Sequence, residues 1–228
     1  MGISNSALKI SKMMVTVDIV IFTIQNDDLK ILLVKRKYNP FKSMWAIPGG
    51  FVKKNEKLDD AARRELLEET NVKNIYVEQL YTFGDPKRDP RGRVVTVAYF
   101  ALINSKDLDL KATTDVKDVK WFSIYDLPQL AFDHKLILDY ALQRLKYKLE
   151  YSTVCFQLLP KEFTLTELQN VYETIFDKNI DKRNFRKKII SLGLLSLTGK
   201  SRREVAHRPA KLYSFTKKHM MLANFIKA

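Results

Sequence analysis

Three carboxylates and an arginine occupy one short stretch of this sequence, Arg64, Glu65, Glu68 and Glu69, within an Ala-, Leu-, Glu- and Arg-rich run that predicts a helix over Leu58–Thr70. At about 100° per residue, Glu65, Glu68 and Glu69 share an arc of about 100° with Leu58, Ala61 and Ala62. Small apolar neighbours predict a face turned toward the protein body, although a solvated acidic helix has the same composition. Like charges at helical neighbour spacing repel, so a cation must answer them: Arg64, a divalent ion, or both. Carboxylate oxygens are hard ligands and suit Mg²⁺ or Mn²⁺. Pro48-Gly49-Gly50 predicts a tight backbone turn ahead of the helix, and Glu56 follows Gly50 by six residues.

A second set of charged residues follows in Asp85-Pro-Lys-Arg88-Asp89-Pro-Arg91-Gly-Arg93. Arg88, Arg91 and Arg93 can meet a phosphate or another anion. The same arginines can instead pair with Asp85 and Asp89 and simply hold the loop.

The elements that must position these groups alternate strand and turn. β-rich runs at 15–22 and 29–34 flank Gln25-Asn26-Asp27-Asp28 and predict a hairpin. Further strands are expected at Tyr76–Phe83, 94–103 and 119–123, and a closing helix at 134–148. A boundary near 148–153 then gives two domains, 1–150 and 151–228, in a chain of 228 residues. No Pro/Gly-rich linker marks it, so the halves are expected to pack closely.

Beyond that boundary Thr164-Leu-Thr-Glu167 is a capping-box sequence, with Phe163 and Leu168 spaced as a hydrophobic staple. Leu165, Leu168, Val171, Tyr172, Ile175 and Phe176 trace one apolar helical face. Asp181 can cap a second helix that stops near Gly193. Two short strands, 194–198 and 212–215, flank a basic loop at 199–211. Helix, helix and two strands describe a winged helix-turn-helix, making the whole chain α+β. In the second helix Phe185, Ile189 and Leu192 have core spacing, while Lys182, Arg183, Asn184, Arg186 and Lys187 crowd the remainder. A recognition helix presents its N-terminal residues to base edges, with Arg reading guanine, Asn reading adenine and lysines meeting phosphates. Arg202, Arg203 and Arg208 would lie in the wing. A solvated basic face, or an RNA-binding one, remains open on composition.

Charge follows the same division. The net charge is +14, but residues 1–150 hold 25 Lys and Arg against 20 Asp and Glu, whereas residues 181–228 hold 13 against 2. A basic module on a nearly balanced one suits contact with a polyanion. The single cysteine, Cys155, excludes a disulfide framework and a multi-cysteine zinc site, and in Val154-Cys155-Phe156 it reads as a buried hydrophobe. His134, His207 and His219 are too scattered in sequence for a histidine-rich metal site. No apolar run reaches a membrane-spanning length, and the first residues lack a signal-peptide pattern, so a soluble cytoplasmic protein without a membrane partner is expected.

Gly50, Glu56, Arg64, Glu65, Leu66, Glu68, Glu69 and Val72 resemble the Nudix box, with Asn71 standing where that family usually has Gly. The resemblance implies a mixed β-sheet sandwiched by helices, with divalent metal on Glu65, Glu68 and Glu69. Trp45–Gly50 and the 83–93 loop resemble the ADP-ribose pyrophosphatase branch, which implies ligand contacts from Glu56, Arg88, Asp89, Arg91 and Arg93. With the module that follows, the chain resembles the Nudix-related transcriptional regulators, on Phe163–Leu168, Lys182–Lys187 and Arg208-Pro209-Ala210. That resemblance implies a bacterial regulator of NAD or of pentose and other sugar metabolism. It would bind double-stranded operator DNA as a homodimer and sense a sugar or ADP-ribose-type effector. The alternative is a working Mg²⁺-dependent Nudix hydrolase that splits ADP-ribose or nucleoside-diphosphate sugars, with Arg64, Glu65, Glu68 and Glu69 catalytic. The basic module favours a regulator over an enzyme.

Overall fold

The computed structural model describes residues 12–70, 75–104, 116–202 and 209–216. Its first sheet is mixed. Strands β1 (Met14–Gln25), β2 (Asp28–Arg36), β3 (Trp45–Ala46), β4 (Gly49–Phe51), β5 (Tyr76–Phe83), β6 (Val94–Leu102) and β7 (Val116–Ser123) pair as β3-β2-β1-β6-β5, with β4 on β1 and β7 on β2. β1 and β6 run parallel and the other pairs antiparallel. The hairpin forms where the sequence predicts it. Asn26 and Asp27 both take positive φ, 54° and 56°, as a tight two-residue hairpin turn requires of its central residues.

Helix α1 (Leu58–Thr70) covers one face of the sheet and α2 (His134–Tyr151) the other. Alternate residues of β1 serve the two faces: Val17, Ile19 and Ile21 pack with Ala61, Ala62 and Leu66, while Val20 and Phe22 pack with Ile137, Ala141 and Leu145. Burial on both sides explains why β1 reads as a continuous apolar run instead of an alternating one. Each fully buried large side chain of this kind contributes about 1.5–3 kcal/mol.

After α2 a single 3₁₀ turn, Val154–Leu158, leads to α3 (Leu165–Phe176), α4 (Lys182–Ser191) and the hairpin β8 (Leu195–Arg202) and β9 (Ala210–Phe215). The apolar core continues without a break from Leu145 and Leu149 through Val154, Cys155 and Leu158 to Leu168 and Tyr172. Cys155 is buried, its thiol lies 3.4 Å from the Tyr172 hydroxyl, and burial pushes its pKa up to about 12.

Two expectations need correction. Pro48-Gly49-Gly50 is not a turn: Gly49 and Gly50 belong to β4 and pair with Asp18 and Val17 of β1. Their missing side chains serve close approach, since a Cβ on Gly49 would stand 2.3 Å from the Val17 carbonyl oxygen. The basic loop is also shorter than expected, because β8 runs on through a bulge at Gly199, φ 75°, to Arg202. Residues 203–208, hence Arg203, His207 and Arg208, lie outside the described residues, as do Asn71, Val72 and His219. No helix among the described residues is long and apolar enough to cross a membrane.

Candidate functional site

Arg64 organises the carboxylates of α1. Its Nε and Nη2 donate to Glu56 Oε1 and Oε2 at 2.7 and 3.0 Å, and its Nη1 donates to Glu65 Oε1 at 2.6 Å and Glu68 Oε2 at 3.5 Å. Nη2 also reaches the Phe51 carbonyl, tying α1 to β4. The bidentate Arg64 pair, with the Lys53 amide, holds the Glu56 carboxyl down at about 2. Burial pushes Glu65 the other way, above the usual carboxylate range, with Arg64 opposing it.

Glu65 and Glu69 are buried, as expected, but the Glu68 side chain is 50% exposed. Glu68 lies at the edge of the helical arc, where the sheet no longer covers it. Three hard oxygen donors suit a divalent ion in type, although among the described residues no three such side chains converge as a ready metal site. Gly50 lets Glu65 come close: a Cβ there would stand 2.2 Å from Glu65 Oε1.

Gly50 also forms the edge of a cleft of about 390 Å³, bounded by β1, β4, the 88–91 loop and the start of α2. The two readings of the arginine loop divide residue by residue. Arg91 does pair with Asp89, through its own Nε and Nη2 and its backbone amide, but its guanidinium also lies 5.0 Å from the Phe51 ring centroid. Arg88 takes neither expected partner. It is buried and donates to both oxygens of Asp133, at 2.9 and 2.7 Å, and to Asp18 at 3.5 Å. Arg93 holds the Gly84 carbonyl at 2.6 Å and does not line the cleft. Glu56, occupied by Arg64, does not line it either.

Several cleft residues escaped the sequence reading. Arg36 stacks over the Phe132 ring at 4.7 Å, and burial followed by the charge of Arg91 lowers its pKa. His134 is buried, with Nδ1 accepting from the Ile47 amide at 2.8 Å and Nε2 3.9 Å from Asp18. Burial lowers its pKa, so the imidazole is neutral and carries its proton on Nε2. One signal was available: Asp18 is the one charged residue of β1, set among the apolar Val17, Ile19, Val20 and Ile21. Guanidinium groups beside the aromatic walls Phe51, Phe132 and Tyr38 give a cleft matched to a phosphate joined to a flat ring.

The second site is the outer face of α3 and α4. Both hydrogen bonds of the capping box are present: Glu167 N–H to Thr164 Oγ1, 3.1 Å, and Thr164 N–H to Glu167 Oε2, 2.7 Å. The turn to α4 is held by Gln169 donating to the Ile180 carbonyl and the Ile180 amide donating to Glu173. Asp181 caps α4 through the Asn184 amide at 2.8 Å. Phe185 and Ile189 are buried, which leaves Lys182, Arg183, Asn184 and Lys187 exposed together on the outward side. Arg186 is half-buried and donates to Thr166 Oγ1 at 3.1 Å, so it braces α4 on α3. Arg202 donates to Glu167 Oε1 at 2.7 Å and to the Glu162 carbonyl, fastening β8 to the start of α3.

Comparison with known proteins covers both halves. Residues 14–144 match the NUDIX domain and residues 155–215 the NrtR DNA-binding winged helix domain. The "ADPR responsive transcriptional repressor NtrR" of Acinetobacter baylyi is 42% identical over 206 residues, 89% of this chain and 82% of that protein. The crystal structure of Shewanella oneidensis NrtR complexed with a 27mer DNA superposes with a TM-score of 0.84 at 38% identity, covering 93% of this chain and 99% of that one. The NUDIX domain of the same Shewanella protein, complexed with ADP ribose, matches 59% of this chain and 90% of its own length, at 41% identity and a TM-score of 0.54.

Proposed function

The chain belongs to the NrtR family, in which a Nudix domain is joined to a DNA-binding winged helix domain, and from that premise we propose that it is an ADP-ribose-responsive transcriptional repressor of NAD metabolism. Residues 1–150 form the sensing part and residues 151–228 the DNA-binding part of a cytoplasmic homodimer. The observation that carries the reading is the capped, outward face of α4, where Lys182, Arg183, Asn184 and Lys187 stand exposed with no acidic residue in the first turn. That is the arrangement a helix needs to enter the major groove of double-stranded operator DNA. Arg202 sets the base of the wing, and Arg203 and Arg208, which follow it in the sequence, are the further residues proposed to contact the DNA.

ADP-ribose suits the cleft chemically. A diphosphate can be met by Arg36 and Arg91, and an adenine by the rings of Phe51, Phe132 and Tyr38. Arg88 acts by positioning Asp133 and Asp18, not by touching the ligand. Effector binding changes DNA affinity only through its differential affinity for the two dimer geometries.

Retention of Glu65, Glu68 and Glu69 favours a second reading, residual Mg²⁺- or Mn²⁺-dependent hydrolysis. Glu65, Glu68 and Glu69 would hold the ion, which would supply charge neutralisation for a diphosphate and activation of a water. Gel retardation of the chain's own upstream DNA tests the regulator. Sequence-selective binding released by ADP-ribose is expected, lost in Arg183→Glu/Lys187→Glu with the ADP-ribose binding heat intact. Absence of selective retardation by the folded protein refutes it, and rapid AMP release from ADP-ribose with Mg²⁺ would establish the hydrolase.

A further inference from the structure

Phe132 stands where the chain turns into α2, in a conformation that a phenylalanine rarely adopts. Its φ is 54°, and that of Asp133, next in the chain, is −92°. The His134 amide closes the turn onto the Ala131 carbonyl at 3.3 Å. A turn whose first central residue alone has positive φ favours glycine there, because a Cβ crowds the neighbouring backbone. Burial does not account for the choice, since the Phe132 side chain is only half-buried.

Its neighbours account for it better. Arg36, at the end of β2, has its guanidinium carbon 4.7 Å from the Phe132 ring centroid, and Arg91, from the 88–91 loop, lies at 5.5 Å. Phe41 packs edge-on at 4.7 Å and the His134 ring lies at 5.2 Å, so the ring is fixed by the start of α2 and by the segment that follows β2. The two guanidinium groups repel each other, and the charge of Arg91 is the largest influence after burial in lowering the pKa of Arg36. Asp89 pairs with Arg91, whereas Arg36 donates to a neutral acceptor, the Pro40 carbonyl, at 2.9 Å.

An aromatic ring attracts cations to its face, so one ring can keep both groups at the cleft in spite of their like charge. A guanidinium fork takes two oxygens of one phosphate. Two forks side by side need two oxygens from each of two phosphates, which a diphosphate supplies and a single phosphate does not. We propose that Phe132 is a positioning residue whose ring holds Arg36 and Arg91 as a clamp selective for a diphosphate over a monophosphate. This role rests on the ADP-ribose reading of the cleft and goes beyond walling an adenine. A sensor built this way answers to the intact effector and ignores the monophosphates left when a diphosphate is split.

Calorimetric titration of the full chain with ADP-ribose and with AMP, in EDTA, tests this, because AMP keeps the adenine but has one phosphate. The parent is expected to bind ADP-ribose about a hundredfold more tightly than AMP, the effect of one further charge-assisted two-pronged contact. Phe132→Gly, which suits the positive φ, should weaken ADP-ribose about thirtyfold and AMP about threefold. Phe132→Leu keeps apolar bulk against Phe41 without a ring face and should show the same split. Phe132→Tyr should stay within about threefold of the parent for both ligands. In an Arg36→Ala background, Phe132→Gly should weaken ADP-ribose by less than about threefold more, since one arm of the clamp is already gone. Equal weakening of both ligands in the Gly and Leu variants overturns the proposal and leaves Phe132 as an adenine wall. Undiminished ADP-ribose affinity in those variants, or a thirtyfold loss that persists without Arg36, overturns it too. In each of these cases the parent still binds ADP-ribose and the effector reading stands, whereas a parent that binds none removes both.

Discussion

Arg88→Ala separates a positioning arginine from a ligand-binding one. The guanidinium is buried, with 3% of the side chain exposed, and donates to both oxygens of Asp133 and to Asp18, whose side chains are 18% and 10% exposed. Removing one member of a buried ion pair typically costs about 3–5 kcal/mol, because the remaining charge stays out of water. Asp133 keeps some access to solvent, which puts the expected loss at the lower end, about 3 kcal/mol. For a chain of this size that corresponds to a fall in Tm of about 6–12 °C. Arg88→Lys restores the charge but not the two-pronged contact and should recover about half. Urea unfolding followed by the fluorescence of Trp45 and Trp121, repeated for Asp133→Asn and the double variant, measures the coupling directly. A loss below about 1 kcal/mol in Arg88→Ala, or a coupling near zero, would refute the assignment and return Arg88 to the ligand.

Three further outcomes follow from the same geometry. His134 is held neutral in the fold, so the unfolded chain takes up a proton near pH 6.5 that the folded chain refuses. The stability this group provides is complete above that pH and is lost as the pH falls below it. Thermal melts from pH 7.5 to 5.5 should therefore show a decline that His134→Gln flattens, and an equal decline in the variant would count against it. Thr164→Ala removes the acceptor of the capping box and should cost about 1 kcal/mol, or about 2–4 °C in Tm, with Thr164→Ser close to the parent. Gly50→Ala drives a methyl group into Glu65 at the edge of the cleft and should weaken ADP-ribose binding about tenfold by calorimetry without altering the circular dichroism spectrum; unchanged affinity would detach the Gly50 edge from the ligand.

Local features were legible in the sequence. The hairpin turn, the 58–70 helix and the capping box each depend on residues within four positions of one another, and each lies where those residues predict it. Short strands were not legible, since two or three residues such as Trp45–Ala46 and Gly49–Phe51 carry no periodicity. Gly49 and Gly50 were misread because glycine serves turns and close approaches alike, and only the fold tells which. Long-range pairing was the other obscured layer. Arg88 had two aspartates within three residues, yet its partner Asp133 is 45 residues away. The cleft is assembled from separate strands, a loop and a helix start, so no single stretch announces it. Periodicity put Glu68 in the same sector as Glu65 and Glu69, but the sheet ends short of that edge of α1.

Glu167 divides its two oxygens between different elements: Oε2 closes the first turn of α3 and Oε1 grips Arg202 at the end of β8. Arg186 adds a brace from α4 to Thr166, beside that same turn. The reading helix and the end of β8, at Arg202, are thus fastened to one point and form a single plate. In the proposed repressor, a change of effector state has no joint to bend inside that plate. Any difference between a bound and a released operator must then come from the distance and angle between two plates, which makes half-site spacing the quantity that the metabolite adjusts.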